Sequence, residues 1–304
     1  MATMAIMGAL HTSASDVMEA HANLLPIELT MDRVCHWAAL CLTALLESHP
    51  LFKPVHQSAR RFLKRHRLPL HHLFHAFNVQ PQDCETLMPP TCPPNEVSTL
   101  QLQVADTREE SREEDEGDKA DVRVYLDGSG IEGMAGAAAV LFRDGQEIRS
   151  LWYQLGPLMH HTMYEAEVVG VLLATELIRK EHAVCTATIQ LDSQAVVQVL
   201  GSRSVKPAQS LLNSEHEACH EWLTDRRHRN RQLTIGWVSR HDGVEGNERA
   251  DNEAKTAACE GSSPEDEPPE ALQGSTLLSS LSALGGAFKE TLQARWKSLW
   301  AKSP

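Results

Sequence analysis

The sequence lacks a long apolar run. Nowhere in its 304 residues do about 18 uncharged apolar residues follow one another, the length that a membrane-spanning helix needs. The N-terminal stretch has no basic flank of the kind that opens a secretory signal. The seven cysteines are odd in number and include no Cys-x-x-Cys pair, which argues against a zinc ribbon and a disulfide framework. These absences predict no membrane partner and reduced thiols in an intracellular protein, without choosing between nucleus and cytoplasm.

The charge is acidic overall but unevenly distributed. Net charge is −13, from 28 basic and 41 acidic residues. Residues 106–120 hold eight acids and three bases, a composition typical of a solvated, disordered linker. Residues 121–259 hold 14 bases and 19 acids. Acids that bind metal ions are partly neutralised, so this balance does not exclude a nucleic-acid partner.

Composition divides the chain into four parts. Residues 1–80 predict helices, and residues 81–120 predict a linker that is first Pro-rich and then acidic. Residues 121–259 alternate between strand and helix patterns and predict a compact α/β domain. Residues 260–304 predict a second linker and a short amphipathic helix, KETLQARWKSLWAKSP. No internal repeat is present.

The α/β segment predicts the element order β-β-β-α-β-α-α-β-α. Its first strand, DVRVYL, meets a Gly-Ser-Gly stretch that predicts its end, so Asp127 is expected at the carboxyl end. Asp144-Gly145 predicts a hairpin turn. A helix of about five turns carries Glu167 in its second turn, and the strand Thr186 to Leu191 runs directly into Asp192.

The last part of this segment, WVSRHDGVEGNERADNEAKTAA, joins a strand, a histidine and a helix-borne acid. The strand residues end at a loop that carries His241 and the glycines Gly243 and Gly246. Asp251 follows ten residues after His241, in a helical pattern. The glycines predict a loop that moves easily beside the helix.

Together these residues resemble type 1 ribonuclease H over about 139 residues, the whole of 121–259. The pieces that carry the resemblance are the three acids in their order and the closing His-x-Gly and Asn-Glu-Arg-x-Asp motifs. The resemblance implies a ribonuclease H-like α/β fold. We therefore expect a five-stranded mixed sheet, three antiparallel strands then two parallel, flanked by helices, with an N-terminal helical segment in addition.

The resemblance also implies the chemistry, which is hydrolysis of the RNA strand of an RNA–DNA hybrid. Two Mg²⁺ ions about 4 Å apart, or Mn²⁺ in their place, activate water and stabilise the leaving oxygen. Carboxylates are the hard oxygen ligands that Mg²⁺ prefers. By resemblance, Asp127 bridges both ions, Glu167 and Asp192 complete one site, Asp251 completes the other, and His241 moves protons or helps product release.

Each acid also has a purely structural interpretation. Asp127 before Gly-Ser-Gly is also a turn former, and Asp192 is also a candidate N-cap of the helix that follows. Glu165 competes with Glu167 for the same role. We favour Glu167 because it stands just before the apolar run VVGVLL, and we expect the other glutamate to be a solvated helix residue.

Substrate contacts are expected from the same resemblance, because the family recognises 2′-OH groups across a shallow minor groove. The candidates for contacts with bases, sugars and phosphates are Gln194, Gly128, Ser129, Arg226 and Arg227. The basic run RRHRNR, 226–231, is equally well explained as a solvated helix end. The sequence departs from many cellular enzymes at Thr162-Met163-Tyr164, where those carry Asn before the helix.

The flanks resemble the segments around the ribonuclease H domain of fungal non-LTR retrotransposon reverse transcriptases. No Tyr/Phe-x-Asp-Asp polymerase motif occurs, so we expect no polymerase activity. Two alternatives to an active hybrid ribonuclease stay open. One is a non-catalytic module that binds hybrids or proteins, and the other is a different nuclease or transposase of the same fold.

Overall fold

The computed structural model describes residues 7–8, 10, 12, 14–60, 68–91, 100–202, 204–225, 230–240, 242–274 and 276–302. The chain divides into two compact units, one of residues 1–84 with 281–304 and one of residues 85–280. Within the described residues, no helix has the length and apolar character needed to cross a membrane.

The described residues of the first unit form helices. Its helices are α1 Ser15–His21, α2 Ile27–Thr43, α3 Phe52–Arg60, α4 Pro69–Phe77 and α10 Leu281–Trp300, with a 3₁₀ turn at Pro81–Asp83. The C-terminal helix is longer than predicted and has 20 residues. Its first half is helical because it packs on α2, where His36 and Phe288 stack with ring centroids 3.9 Å apart.

The second unit holds the α/β elements. They are β1 Leu100–Gln103, α5 Arg108–Gly117, β2 Val122–Ile131, β3 Met134–Arg143, β4 Gln146–Pro157, α6 Met163–Lys180, β5 Thr186–Leu191, α7 Gln194–Leu200, α8 Gln209–Thr224, β6 Gln232–Trp237 and α9 Glu245–Glu260. A 3₁₀ turn follows at Glu270–Leu272. From β2 to α9 the order of elements is the predicted one.

The sheet has the order β1-β6-β5-β2-β3-β4. Strands β2, β3 and β4 pair antiparallel, whereas β5 and β6 extend the sheet in parallel. This arrangement confirms the mixed α/β fold class. The five predicted strands are present as β2 to β6. The unpredicted β1 adds a sixth strand in parallel to β6, with Leu100 opposite Leu233 and Leu102 opposite Ile235. The short Leu-Gln-Leu-Gln alternation suits this otherwise open edge of β6.

The acidic part of the predicted disordered linker forms helix α5. Thr107 caps the helix by accepting a hydrogen bond from the Glu110 amide at 3.1 Å. Ser111, on the inner face, donates to the Trp237 carbonyl at 3.0 Å and accepts from the Ser239 amide at 3.2 Å. Charge composition predicted disorder here, but this inner face finds buried partners at the end of β6.

Strand β2 continues beyond the point where its glycines predicted an end. Asp127 therefore lies within the strand, opposite Ala138, and pairing with β3 runs on to Ile131 opposite Met134. The Gly-Ser-Gly tract stays extended because β3 supplies hydrogen bonds along its whole length. The predicted turn at Asp144-Gly145 is present, with φ values of 52° and 75°.

Helices α6 and α8 enclose a buried carboxyl group on one face of the sheet. Glu215 is fully buried, and its Oε1 accepts hydrogen bonds from Thr175 Oγ1 at 2.7 Å and from Cys219 Sγ at 2.9 Å. Burial raises the pKa of Glu215 to about 8, although both hydrogen bonds act in the opposite direction. The folded protein therefore retains a proton that the unfolded chain has already lost near neutral pH.

We expect Glu215→Gln to reduce the loss of stability at rising pH. Because the pKa of Glu215 is raised on folding, its contribution to the free energy of unfolding falls between the unfolded pKa and about 8. The difference in free energy of unfolding between the variant and the wild type should shift in favour of the variant by about 1.4 kcal/mol per pH unit in that window. Urea unfolding at pH 5 and 7.5 measures it, with the exposed Glu217→Gln on the same helix as control. A pH-independent difference would show that Glu215 ionises normally.

Candidate active site

The predicted acids come from four elements that meet where the parallel strands end. The last parallel pair of β2 and β5 is Leu126 opposite Leu191. Asp127 is the next residue of β2, and Asp192 is the first residue after β5. The strand register therefore brings the two acids side by side. Helix α6 supplies Glu167 and helix α9 supplies Asp251.

Asp127 and Asp251 form a hydrogen-bonded carboxyl pair. The Asp127 residue is only 2% exposed, and its Oδ1 accepts from the Gly128 amide at 2.8 Å. Burial first, then the charge of Asp192 and the hydrogen bond and charge of Asp251, raise the pKa of Asp127 to about 8. Hydrogen bonds from Lys255 and Asp127 hold the pKa of Asp251 below its usual range, although burial acts in the opposite direction. Asp127 is therefore the member of the pair that carries the proton.

Gly128 allows helix α6 to lie directly on β2. A Cβ atom at Gly128 would stand 2.9 Å from both the Ala166 Cβ and the Glu167 amide nitrogen. Because alternate residues of a strand face opposite sides, Gly128 faces α6 while Asp127 faces α9. The missing side chain thus brings Glu167 close to the strand that carries Asp127.

Only one of the two competing glutamates faces the acid cluster. Burial first, and the charge of Asp192, raise the pKa of Glu167 to about 7, while a hydrogen bond to Ser193 and the charge of Arg240 act against the rise. Its Oε2 atom is buried without a hydrogen-bond partner. This oxygen is therefore open to a ligand.

Glu165 instead closes the N-terminus of α6. Its Oε2 accepts from the Thr162 amide at 2.6 Å, and its own amide donates to Thr162 Oγ1 at 3.1 Å, which is a capping box. The expectation that the second glutamate is solvated is wrong, because Glu165 is only 3% exposed. Its carboxylate is used by the helix end and by His161, whose Nδ1 lies 3.8 Å away.

Asp192 is tied to the segment that follows β6. Its carbonyl accepts from the Trp237 indole Nε1 at 3.0 Å, and its Oδ2 lies 3.1 Å from the Arg240 Nε. It is not the N-cap of α7, since that position belongs to Ser193, which makes no capping hydrogen bond. Asp192 is thus held at both its backbone and its carboxylate.

Two cations stand against the outer carboxylates, and sequence reasoning did not identify either. Arg240 pairs with Asp192, and Lys255 Nζ lies 2.5 Å from Asp251 Oδ2. The i, i+4 spacing of Asp251 and Lys255 is a signal that was available in the sequence. In the part of the chain that the structure describes, no three His, Cys, Asp or Glu side chains form a metal site as they stand.

The donor set nevertheless fits a hard divalent cation. The carboxylates are buried or half-buried, their charges repel one another, and Glu167 Oε2 has no partner. Mg²⁺ takes oxygen ligands of this kind and keeps several waters, so a closed protein cage is not required. A bound cation would offset the cost of burying these negative charges together.

The predicted substrate contacts are only partly within the described residues. Gln194 is exposed at the first position of α7, whereas Gly128 and Ser129 are buried in β2. His241, Arg226 and Arg227 lie outside the described residues. Tyr164, where the sequence departs from the family pattern, has a buried hydroxyl without a hydrogen-bond partner, and burial first raises its pKa to about 12.

Residues 119–259 match the model of the RNase H family. The match begins just before β2 and ends within α9, so β1 and α5 lie outside it. It supports an RNase H domain in this part of the chain. No curated protein matches the sequence.

Several solved RNase H structures resemble part of the chain. RNase H1 from Halobacterium salinarum is 25% identical, with 45% of this chain and 96% of that chain covered and a TM-score of 0.35. The N-terminal RNase H domain of a Mycobacterium tuberculosis protein is 23% identical, with 45% of this chain and 98% of that chain covered and a TM-score of 0.36. LC11-RNase H1, solved with an RNA/DNA hybrid, is 18% identical, with 45% of this chain and 96% of that chain covered and a TM-score of 0.36.

Proposed function

We propose that residues 119–259 form a metal-dependent endonuclease that hydrolyses the RNA strand of RNA–DNA hybrids. The observation that supports this most strongly is the cluster of Asp127, Glu167, Asp192 and Asp251 inside the matched RNase H domain. Carboxylates gathered from four separate elements are costly for folding, because like charges in one buried site disfavour ionisation. A cluster with this cost indicates a functional role. Binding of a cation is the role that fits a set of carboxylates.

Two Mg²⁺ ions, when bound, supply an activated water and stabilise the leaving oxygen of the phosphodiester. Asp127, which borders both Asp192 and Asp251, would take part in holding the ions. Glu167 and Asp192 would hold one ion and Asp251 the other. Mn²⁺ has the same ligand preference and would serve in their place.

The chain's own residues set the proton balance of the site. The proton that Asp127 shares with Asp251 must leave before both carboxylates bind a cation. Trp237 orients Asp192 through its indole hydrogen bond, and Ser111 holds the carbonyl of Trp237 from the other side. His241 follows the end of β6 in the sequence, and we assign it to proton transfer or product release.

Cleavage of defined substrates by the full-length chain tests the function. Four end-labelled substrates would be compared in Mg²⁺ and in excess chelator: RNA–DNA hybrid, RNA duplex, DNA duplex and single-stranded RNA. We expect only the RNA strand of the hybrid to be cut, and only with metal. Cleavage of duplex DNA would favour another nuclease of this fold, and hybrid binding without cleavage would favour a binding module.

The two neighbouring glutamates provide a matched pair of variants. We expect Glu167→Gln to lower hybrid cleavage by about a hundredfold or more, because it removes a metal-facing charge while the helix cap stays intact. Glu165→Gln should keep most of the activity and lower the free energy of unfolding by less than about 1 kcal/mol, because a glutamine oxygen can also accept the Thr162 amide hydrogen bond of the capping box. Initial cleavage rates and urea unfolding of both variants measure this. The reverse pattern would assign the site to Glu165.

We also propose that the chain derives from a retroelement. The support is the resemblance of 1–80 and of the C-terminal helix segment to the flanks of the ribonuclease H domain in non-LTR retrotransposon reverse transcriptases.

A further inference from the structure

Arg240 lies between the end of strand β6 and the predicted catalytic histidine. It is the residue immediately before His241 and the third residue after Trp237, the last residue of β6. Its side chain is 58% exposed, and its Nε approaches Oδ2 of Asp192, whose side chain is only 8% exposed, to 3.1 Å. An exposed cation is thus paired with a buried carboxylate that belongs to the proposed metal site.

The position of Arg240 affects more than one acid of the cluster. Its charge acts on Glu167 and on Asp251 and in both cases favours the ionised carboxylate. The guanidinium therefore partly compensates the negative charge of the site, which is the effect that a bound metal ion would have. Lys255 acts in the same sense at Asp251 but is fixed on helix α9, one turn further along.

The backbone before Arg240 is held by hydrogen bonds, whereas the Arg240 side chain is exposed. Val238 donates to the Leu191 carbonyl at 2.9 Å, and Ser239 donates to Ser111 Oγ at 3.2 Å. Ser239 is buried, and Arg240 is the first exposed residue after it. The Arg240 side chain can therefore change its position while the hydrogen bonds of Val238 and Ser239 stay in place.

We propose that Arg240 is a positioning residue that serves as the counter-ion of Asp192 in the metal-free protein and leaves it when a divalent cation binds. Both cations are attracted to the Asp192 carboxylate, so each would weaken the binding of the other. Metal binding would then be coupled to a change at the residue next to His241. This inference rests on the proposed metal site. It adds the prediction that Arg240 competes with the metal ion for the carboxylate of Asp192.

Calorimetric titration with Mg²⁺ of the full-length wild type and of Arg240→Ala tests the competition. Removing the competing charge should lower the Mg²⁺ dissociation constant about twofold to fivefold, the range for an ion pair with an exposed partner. Arg240→Lys keeps a charge and should return toward the wild-type value. Arg249→Ala is the matched control, since Arg249 pairs with Glu147 and Glu253 instead of the four acids, and it should not change the dissociation constant.

A second readout follows the side chain itself. The Nε–H resonance of Arg240, assigned by its loss in Arg240→Ala, should shift as Mg²⁺ is added to the wild type. Unchanged or weaker Mg²⁺ binding by Arg240→Ala, together with loss of binding in Asp192→Asn, would overturn the counter-ion role and leave the metal site intact. Absence of Mg²⁺ binding in the wild type and in Arg240→Ala alike would overturn the metal site as well.

Discussion

Asp127→Asn should abolish hybrid cleavage while making the metal-free protein more stable. The loss of activity, about a hundredfold or more, follows from removing the carboxylate that borders both Asp192 and Asp251. The gain in stability has a separate cause. Burial and the two neighbouring acids raise the pKa of Asp127 to about 8, so its contribution to the free energy of unfolding falls as pH rises from about 4 to 8.

An asparagine at this position resembles the protonated acid, because its amide also donates a hydrogen bond to Asp251. We expect the variant to gain about 1–2 kcal/mol at pH 7.5 without metal, or roughly 2–4 °C in melting temperature. Thermal unfolding in chelator and initial cleavage rates in Mg²⁺ measure the two effects on one preparation. A variant with lower metal-free stability, or with near wild-type cleavage, would contradict the assignment of Asp127.

Gly136→Ala should be the most destabilising single-methyl change near the site. A Cβ at this position of β3 would stand 2.5 Å from the Ala254 carbonyl oxygen and closer still to the Ala258 amide nitrogen. Both atoms belong to the backbone of α9, so the clash cannot be relieved by a side-chain rotation. We expect a loss of about 3 kcal/mol in the free energy of unfolding.

The same clash should impair cleavage, because α9 also carries Asp251. A displacement of about 1 Å at a catalytic group costs up to a hundredfold in rate. Urea unfolding and cleavage assays measure both effects. Gly117→Ala is the control, since nothing lies within 4 Å of a Cβ there, and it should leave stability and activity unchanged. Wild-type stability of Gly136→Ala would mean that α9 lies further from β3 than described.

The α/β core could be predicted from local patterns because each signal is short in range. Period-two and period-3.6 patterns mark β2 to α9 in the correct order, and Asp144-Gly145 forms the turn that this dipeptide favours. The resemblance to ribonuclease H selected Asp127, Glu167, Asp192 and Asp251 as site residues, and their assignment stays a prediction. The structure places Asp192 and Asp251 beside Asp127. The order of elements follows the local patterns because local propensity and tertiary structure agree in this region.

The features that sequence reasoning missed depend on partners far away in the chain. Ser111 holds the highly charged helix α5 in place through hydrogen bonds with the backbone of Trp237 and Ser239. These partners lie 126 and 128 residues later in the chain. β1 exists because β6 leaves an edge to pair with, and β2 continues past Asp127 because β3 accompanies it. The pairing of Arg240 with Asp192 likewise needs the register of β5 and β6.

The most direct measurement is hybrid cleavage by the full-length chain and by Asp192→Asn in parallel, with the RNA strand labelled and Mg²⁺ varied. We predict Mg²⁺-dependent cleavage of the RNA strand by the wild type. Asp192→Asn should show no cleavage at any Mg²⁺ concentration while its melting temperature and hybrid binding are retained. Cleavage by Asp192→Asn at the wild-type rate, or cleavage by the wild type in excess chelator, would contradict a metal-dependent site built from these four carboxylates.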